Sequence, residues 1–252
     1  MQSDVSWPGA REQVLALREA PFPRRAFGAG GSSSGPVRLD RPLSEAEVAA
    51  AERELGVSFP PSYRTFLLEV GAGGTGPHYG LFSLRRDKRG WHWADEFGFR
   101  HDSSLLDRPF PSMEERAHWE EDFDAREPDR KDFPDEQSYR RAFTAWDDEW
   151  DTLREEMIAG AICLSSQGCG TYTWLAVTGP ERGTVWSVSW EAEVPVSPCS
   201  AGTDSVDFHD WYVSWLARIT FQAYGGAPGE RRLRPPAGRA RPRGRLARWF
   251  GR

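Results

Sequence analysis

Three patterns in this chain have the residue types and spacing that chemistry could use. Gly71-Ala72-Gly73-Gly74-Thr75-Gly76 spells G-x-G-x-x-G. That run cradles a dinucleotide pyrophosphate when it follows a strand and opens a helix, so that the helix dipole meets the phosphates. Here it follows a helical pattern and precedes a strand pattern, so it reads as a helix-terminating loop. A metal site would need His and Cys at convergent spacing. His78, His92, His101, His118 and His209 are scattered, and neither H-x-x-x-H nor C-x-x-C occurs. Cys163 and Cys169 read as small core or turn residues. No metal and no cofactor are expected. The 38 acidic residues could supply an acid–base pair, but such pairs need perturbed environments. The acids here fall mostly in charge runs typical of a solvated face. No G-x-S-x-G, phosphate-binding Walker loop or kinase set is present. No catalytic residue is assigned, and the expectation is a non-enzymatic protein.

Charge points instead to binding. The formal net charge is −6, but nine arginines and no acid or lysine lie between Arg231 and Arg252, which leaves −15 on the rest. An acidic body disfavours nucleic acid, where phosphate neutralisation dominates. It suits a basic protein partner through steering and complementarity. The chain also carries 12 tryptophans, the residue type that anchors interface hot spots. Candidate partner-binding residues are Trp91, Trp93, Asp95, Glu96 and Trp119, with the acidic run Asp147, Asp148, Glu149 and Asp151. The competing reading is an acidic, solvated surface with no dedicated partner. The arginine-rich end has the composition of a disordered tail. Contact of that tail with nucleic acid or an anionic membrane is the disfavoured reading. It could also fold back on the acidic body as an internal screen.

The elements that would position these groups follow from periodicity. At 252 residues the chain is long enough for one or two domains and a sizeable core. No apolar run approaches the roughly 18 residues of a membrane span. MQSDVSWPGA lacks a basic region followed by an apolar stretch, so no secretory signal is expected. Three cysteines make no disulfide framework. A soluble, cytoplasmic protein is expected. Residues 1–36 read as a short helix docked on the body and a flexible linker. Ser44 and Glu47 form an S-x-x-E capping box. Val48, Ala51 and Leu55 line one helix face, and Gly56 is its C-cap. Pro60-Pro61 set up a second helix, whose stripe is Tyr63, Phe66, Leu67 and Val70. YGLFSL (79–84) reads as a strand, and WHWADEFGF (91–99) is ambiguous. Residues 113–130 carry mixed charge around Trp119 and Phe123. Tyr139, Phe143, Trp146, Trp150, Leu153 and Met157 then form one seam of a helix that starts near Pro134 and stops at Gly160. AICLSS (161–166), TYTWLAV (171–177) and GTVWSVSW (183–190) read as three strands of an antiparallel meander. Phe208, Trp211, Tyr212, Trp215, Leu216 and Ile219 mark a closing helix capped by Asp207. The whole is an α+β arrangement, with helices expected over one face of the sheet.

The run LSEAEVAAAERELGVSFPPSYRTFLLEVGAGG (43–74) resembles the opening of the SUKH superfamily, which includes the fungal cell-wall assembly regulators of the Smi/Knr type. The matching pieces are the capped acidic helix (Ser44, Glu47), Glu52, Leu55-Gly56, Pro60-Pro61, Tyr63-Arg64, Phe66-Leu67 and a Gly-rich turn. The family usually has Asn-Gly-Gly in that turn, where this chain has Gly71-Ala72-Gly73-Gly74. It often has Leu before the Pro pair, where this chain has Phe59. ICLSSQGCGTYTWLAV with Gly183-Thr184-Val185, and DFHDWYVSWLARI, look like the later strand–turn–strand and closing helix. The resemblance covers roughly 37–224 in outline. It implies a single α+β domain over those residues, a mainly antiparallel sheet covered by helices. Within it, about 107–159 reads as an acidic helical insertion, and 225–252 follow as the tail. Many bacterial members look like immunity proteins that bind and neutralise toxins. The resemblance implies a protein-binding domain; taken with the −15 body and the Trp-rich acidic segments, the expected partner is a basic toxin, such as a nuclease. The alternative is a regulatory or scaffold protein of the cell-wall assembly regulator type.

Overall fold

Val14 and Leu17, spaced for one helix face, seat a short helix α1 (Ala10–Ala16) and the turn after it in the core. This helix belongs to a computed structural model that describes residues 5–22, 37–94, 103–190, 192, 196–201 and 204–225. The linker and the arginine-rich tail lie outside those residues. Trp7 is buried beside α1, and its indole donates to Ser62 O at 3.2 Å and Thr65 Oγ1 at 3.1 Å. The N-terminal segment is thereby tied to the helix that carries the Pro pair.

The capping box forms as its sequence requires. Helix α2 (Glu45–Leu55) begins with Ser44 Oγ accepting from the Glu47 N–H, while the Glu47 carboxylate accepts from the Ser44 N–H at 2.8 Å. Gly56 ends it at φ 73°, a conformation that favours glycine. Helix α3 (Pro61–Glu69) starts on Pro61 and buries Tyr63, Phe66 and Leu67. The Gly-rich turn then packs where three backbone segments cross. Gly73 O accepts from Asp40 N, Thr75 N donates to Arg38 O, and Gly74 and Leu81 exchange both backbone bonds. A Cβ on Gly73 would sit 2.6 Å from Ser83 Cα, and one on Gly74 would sit 2.5 Å from Arg38 O. The glycines permit this close approach of chains.

The strand expected over 79–84 begins later. Strand β1 (Ser83–Asp87) pairs with β2 (Gly90–Ala94) as an antiparallel hairpin, which also settles the ambiguous 91–94. Residues 79–82 bond instead to the edge of the main sheet, through Tyr79 N to Ser166 O and Phe82 N to Leu164 O. Gly80, at φ 97°, breaks the extended run between them.

Two helices follow, α4 (Met113–Ala125) and α5 (Glu136–Met157). The meander is then β3 (Ala161–Gly168), β4 (Thr171–Ala176), β5 (Val185–Ser189) and a fourth strand, β6 (Val196–Pro198), in that spatial order and all antiparallel. Its register sets Cys163 opposite Trp174, Trp174 opposite Trp186, and Trp186 opposite Pro198. A two-residue ladder joins β7 (Ser200–Ala201) to β8 (Asp204–Ser205). Helix α6 (Phe208–Ala223) closes the domain, with Asp207 Oδ1 accepting from Asp210 N at 2.8 Å.

Helices cover both faces of the meander, not one. Ile162, Leu164, Leu175, Val177 and Val185 join the core built by α1, α2, α3 and α6. There Trp7 meets Phe66, Phe208 and Tyr212 edge-on, and Phe66 meets Phe208 and Tyr212 the same way, at ring separations of 4.8–5.9 Å, while Phe208 stacks on Tyr212 at 6.3 Å. Ala161, Ala176, Trp186, Val188 and Val196 face the other way, into a second cluster with Phe110, Met157 and the partly buried Trp119, Trp150 and Leu153. The physical reason lies in β3, where Ala161 through Ser165 are all buried. An unbroken buried run belongs to a strand sandwiched on two sides.

Candidate protein-binding surface

The second face of the sheet is covered by the α4–α5 hairpin, and this hairpin carries the charge. Residues 112–157 hold 17 Asp and Glu against 7 Lys and Arg, a net of −10. That is two-thirds of the −15 on the chain ahead of its arginine-rich end. One element therefore concentrates what the composition showed only as an average.

Each helix is started by its own cap. Ser112 and Glu115 form a second complete capping box, with Glu115 accepting from Ser112 N at 2.7 Å. Those hydrogen bonds hold the Glu115 carboxyl below its ordinary pKa. Asp135 accepts from Ser138 N at 2.7 Å, which lowers its pKa in the same way and starts α5. The seam of α5 faces α4 and the sheet. Phe123 stacks on Trp146 with centroids 4.5 Å apart, and the Trp146 indole donates to Phe123 O at 3.0 Å. Met157 and Trp146 are buried, whereas Tyr139, Phe143, Trp150 and Leu153 are half-buried. Tyr139 and Phe143, at the end of α5 away from Met157, pack on each other at 5.9 Å and next to Phe133 and Trp146.

Arg116 pins this hairpin to the sheet. It is only 4% exposed, between Phe110 and Trp186, with its guanidinium carbon 4.2 Å and 4.8 Å from their ring centroids. Its Nε donates to Met157 O at 2.9 Å, at the last turn of α5. Both Nη atoms are buried without a hydrogen-bond partner among the described residues. Burial pulls its pKa down to about 10, against the opposing pull of Glu181, Glu115 and Glu120. Sequence reading passed over this residue and over the cap of α4, although Ser112-x-x-Glu115 is the same signal as Ser44-x-x-Glu47.

Asp147, Asp148, Glu149 and Asp151 all lie exposed on α5. Glu149 pairs with Arg126 of the α4 end at 2.5 Å, and Asp151 with Arg154 at 3.3 Å. Asp147 and Asp148 make no ion pair among the described residues. The aromatic half of the expected contact does not sit beside them. Trp91 (6% exposed) and Trp93 (1%) belong to the first core, where the Trp93 indole donates to the Tyr63 hydroxyl at 2.8 Å. Residues two apart on β2 share a face, and that face turns both indoles into this core. Trp119 is half-buried against the second cluster, on the opposite side of the sheet. Asp95 and Glu96 lie outside the described residues.

The other chemical candidates have structural partners. The motif carboxylate Glu52 accepts from Phe59 N at 2.8 Å and Arg64 Nε at 3.3 Å, tying α2 to α3. Cys163 is buried, Cys199 is half-buried with a thiol pushed up to about 12, and Cys169 is exposed in the β3–β4 turn. Asp207, His209 and Asp210 bring ligand-type atoms within 4.8 Å of one another, a local cluster at the α6 cap that the histidine spacing did not reveal. Among the described residues, no helix is long and apolar enough to cross a membrane.

Taken together, the elements define an α+β domain built on a two-faced meander, with one strongly acidic helical face. Residues 42–211 match the model of the SMI1 / KNR4 family (SUKH-1), and the chain belongs to that family. No curated protein and no solved structure matches it.

Proposed function

We propose that this protein is a non-enzymatic binding member of its family, an immunity protein that captures a basic toxin domain in the cytoplasm. A nuclease fits best, because a surface that holds phosphate is itself basic. The observation that carries the reading is the net −10 on the α4–α5 hairpin, which acts here as an insertion in the family domain. Mechanism is occlusion by shape and charge. Exposed carboxylates steer a cationic surface in and raise the on-rate, and Asp147 and Asp148, which make no ion pair among the described residues, meet its lysines and arginines directly. Capture from the native cell tests it, with the wild-type chain and a D147N/D148N/E149Q/D151N variant as paired baits. One stoichiometric basic protein, toxic when expressed alone, silenced by the wild type and held at least tenfold less tightly by the variant, is the expected result. A captured protein indifferent to the variant and to salt would sink the charge mechanism. A captured cell-wall enzyme or regulator would move the function to the regulatory reading.

A further inference from the structure

The same acidic face has a complementary segment in its own chain. We propose that residues 231–252 dock on the outer face of the α4–α5 hairpin, as an internal occupant that a protein partner must displace.

Charge complementarity is the first support. The segment carries nine arginines and no acid, and the hairpin is the one stretch of the chain with a comparable charge of opposite sign, −10. Six exposed carboxylates (Glu121, Asp122, Asp147, Asp148, Glu149 and Asp151) present that charge to solvent from both helices. Arginine suits them, since its planar fork bonds carboxylates two at a time.

Apolar chemistry is the second support. Leu246, Trp249 and Phe250 interrupt the arginines. Tyr139 and Phe143, at the end of α5 away from Met157, are half-buried on the inward seam, so the segment reaches their rings at the rim of the acidic face and not on it. A basic and aromatic segment thus meets an acidic and aromatic helix.

Reach is the third. The described chain ends at Gly225, just after α6. The 27 residues beyond it span up to about 90 Å when extended, at roughly 3.3 Å each. A domain of this size is only about 45 Å across, from a radius of gyration near 17 Å. The segment can therefore pass round either edge of the sheet. Tethering supplies an effective concentration on the order of millimolar, so contacts too weak to matter between molecules suffice within one.

The test uses the full chain and no partner, so its failure and the failure of toxin capture are separate results. Backbone amide spectra are compared between the wild type and a variant with all nine arginines changed to glutamine. Shift differences are expected on α4 and α5, centred on 144–152, and they should vanish when salt rises from about 50 mM to about 500 mM. Over that range the screening length falls from roughly 14 Å to roughly 4 Å. The D147N/D148N/E149Q/D151N chain should likewise release the segment, with its arginine resonances moving to random-coil positions. Unperturbed hairpin amides, or differences confined to α6 and α1, would overturn the proposal. So would arginine resonances that respond to RNA or anionic vesicles while staying random-coil in the protein alone.

Discussion

Glu52 joins three segments with one carboxylate, because it projects from α2 toward both the 57–60 connection and α3. Glu52→Ala leaves the Phe59 N–H without its acceptor and leaves Arg64 paired with Glu45 alone. It should lower stability by about 1–3 kcal/mol, the usual cost of stranding a partly buried donor. A urea midpoint equal to wild type would show that solvent takes its place. His78 gives a pH dependence. It is half-buried beside Trp211, at φ 57°, and burial together with the Arg218 charge pulls its pKa from 6.5 to about 4. A base with a depressed folded-state pKa favours folding only while neutral. Its contribution is complete above pH 6.5, falls as pH drops toward 4, and is constant below. The loss should be on the order of 2 kcal/mol. His78→Asn tolerates the left-handed backbone and does not titrate, so urea midpoints measured from pH 7 to pH 4 should fall less steeply in that variant. Parallel curves would refute the assignment to His78. At this scale the sequence was legible wherever a residue's role is local: Ser44, Glu47, Gly56 and Asp207 act within one turn of themselves. It was not legible for Trp91 and Trp93, because residue type marks a tryptophan as an anchor in a core and at an interface alike.

Helix α5 was readable from its 4-3-4-3-4 aromatic spacing, since its seam is continuous over 139–157. Helix α4 was not, and Arg116 explains why. Arg116, Trp119 and Phe123 form the inward stripe, so a charge occupies the position where periodicity looks for an apolar residue. The three-residue strand β6 was equally hidden, because Val196-Ser197-Pro198 is shorter than any periodic signal. Arg116 also yields a test of how the hairpin is held. Arg116→Ala removes both ring contacts and the bond to Met157 O and leaves a void, so it should destabilise by about 2–4 kcal/mol. Arg116→Met keeps most of the volume and discards a buried charge with two unpartnered Nη groups. Such replacements are often neutral or stabilising. The expected order of urea midpoints is methionine at or above wild type, and alanine well below. Hydrogen exchange should place the alanine loss on α4 and α5 amides first. Equal losses in both variants would mean that the charge itself contributes net stability.

Charge acts on the molecule as a whole as well as at a surface. A body of −15 repels itself, and a net −10 confined to one hairpin places that repulsion where two helices must stay docked on the second face of the sheet. Salt relieves repulsion by shortening its range, from about 30 Å at 0.01 M to about 8 Å at 0.15 M. Nine arginines on the same chain relieve it too, provided that they lie within a screening length of the acids. The nine-arginine-to-glutamine chain should therefore gain stability as salt rises through this range, whereas the wild type, already compensated, should gain distinctly less. Urea is the right denaturant for the comparison, because guanidinium would itself screen the charges. Two parallel salt curves would mean that the arginines sit too far from the hairpin to matter, and the acidic face would then stand open to a partner at all times. Converging curves, with the variant reaching the wild type only at high salt, would make the arginine segment an electrostatic part of the fold. A protein partner would then have to outcompete it for the same carboxylates.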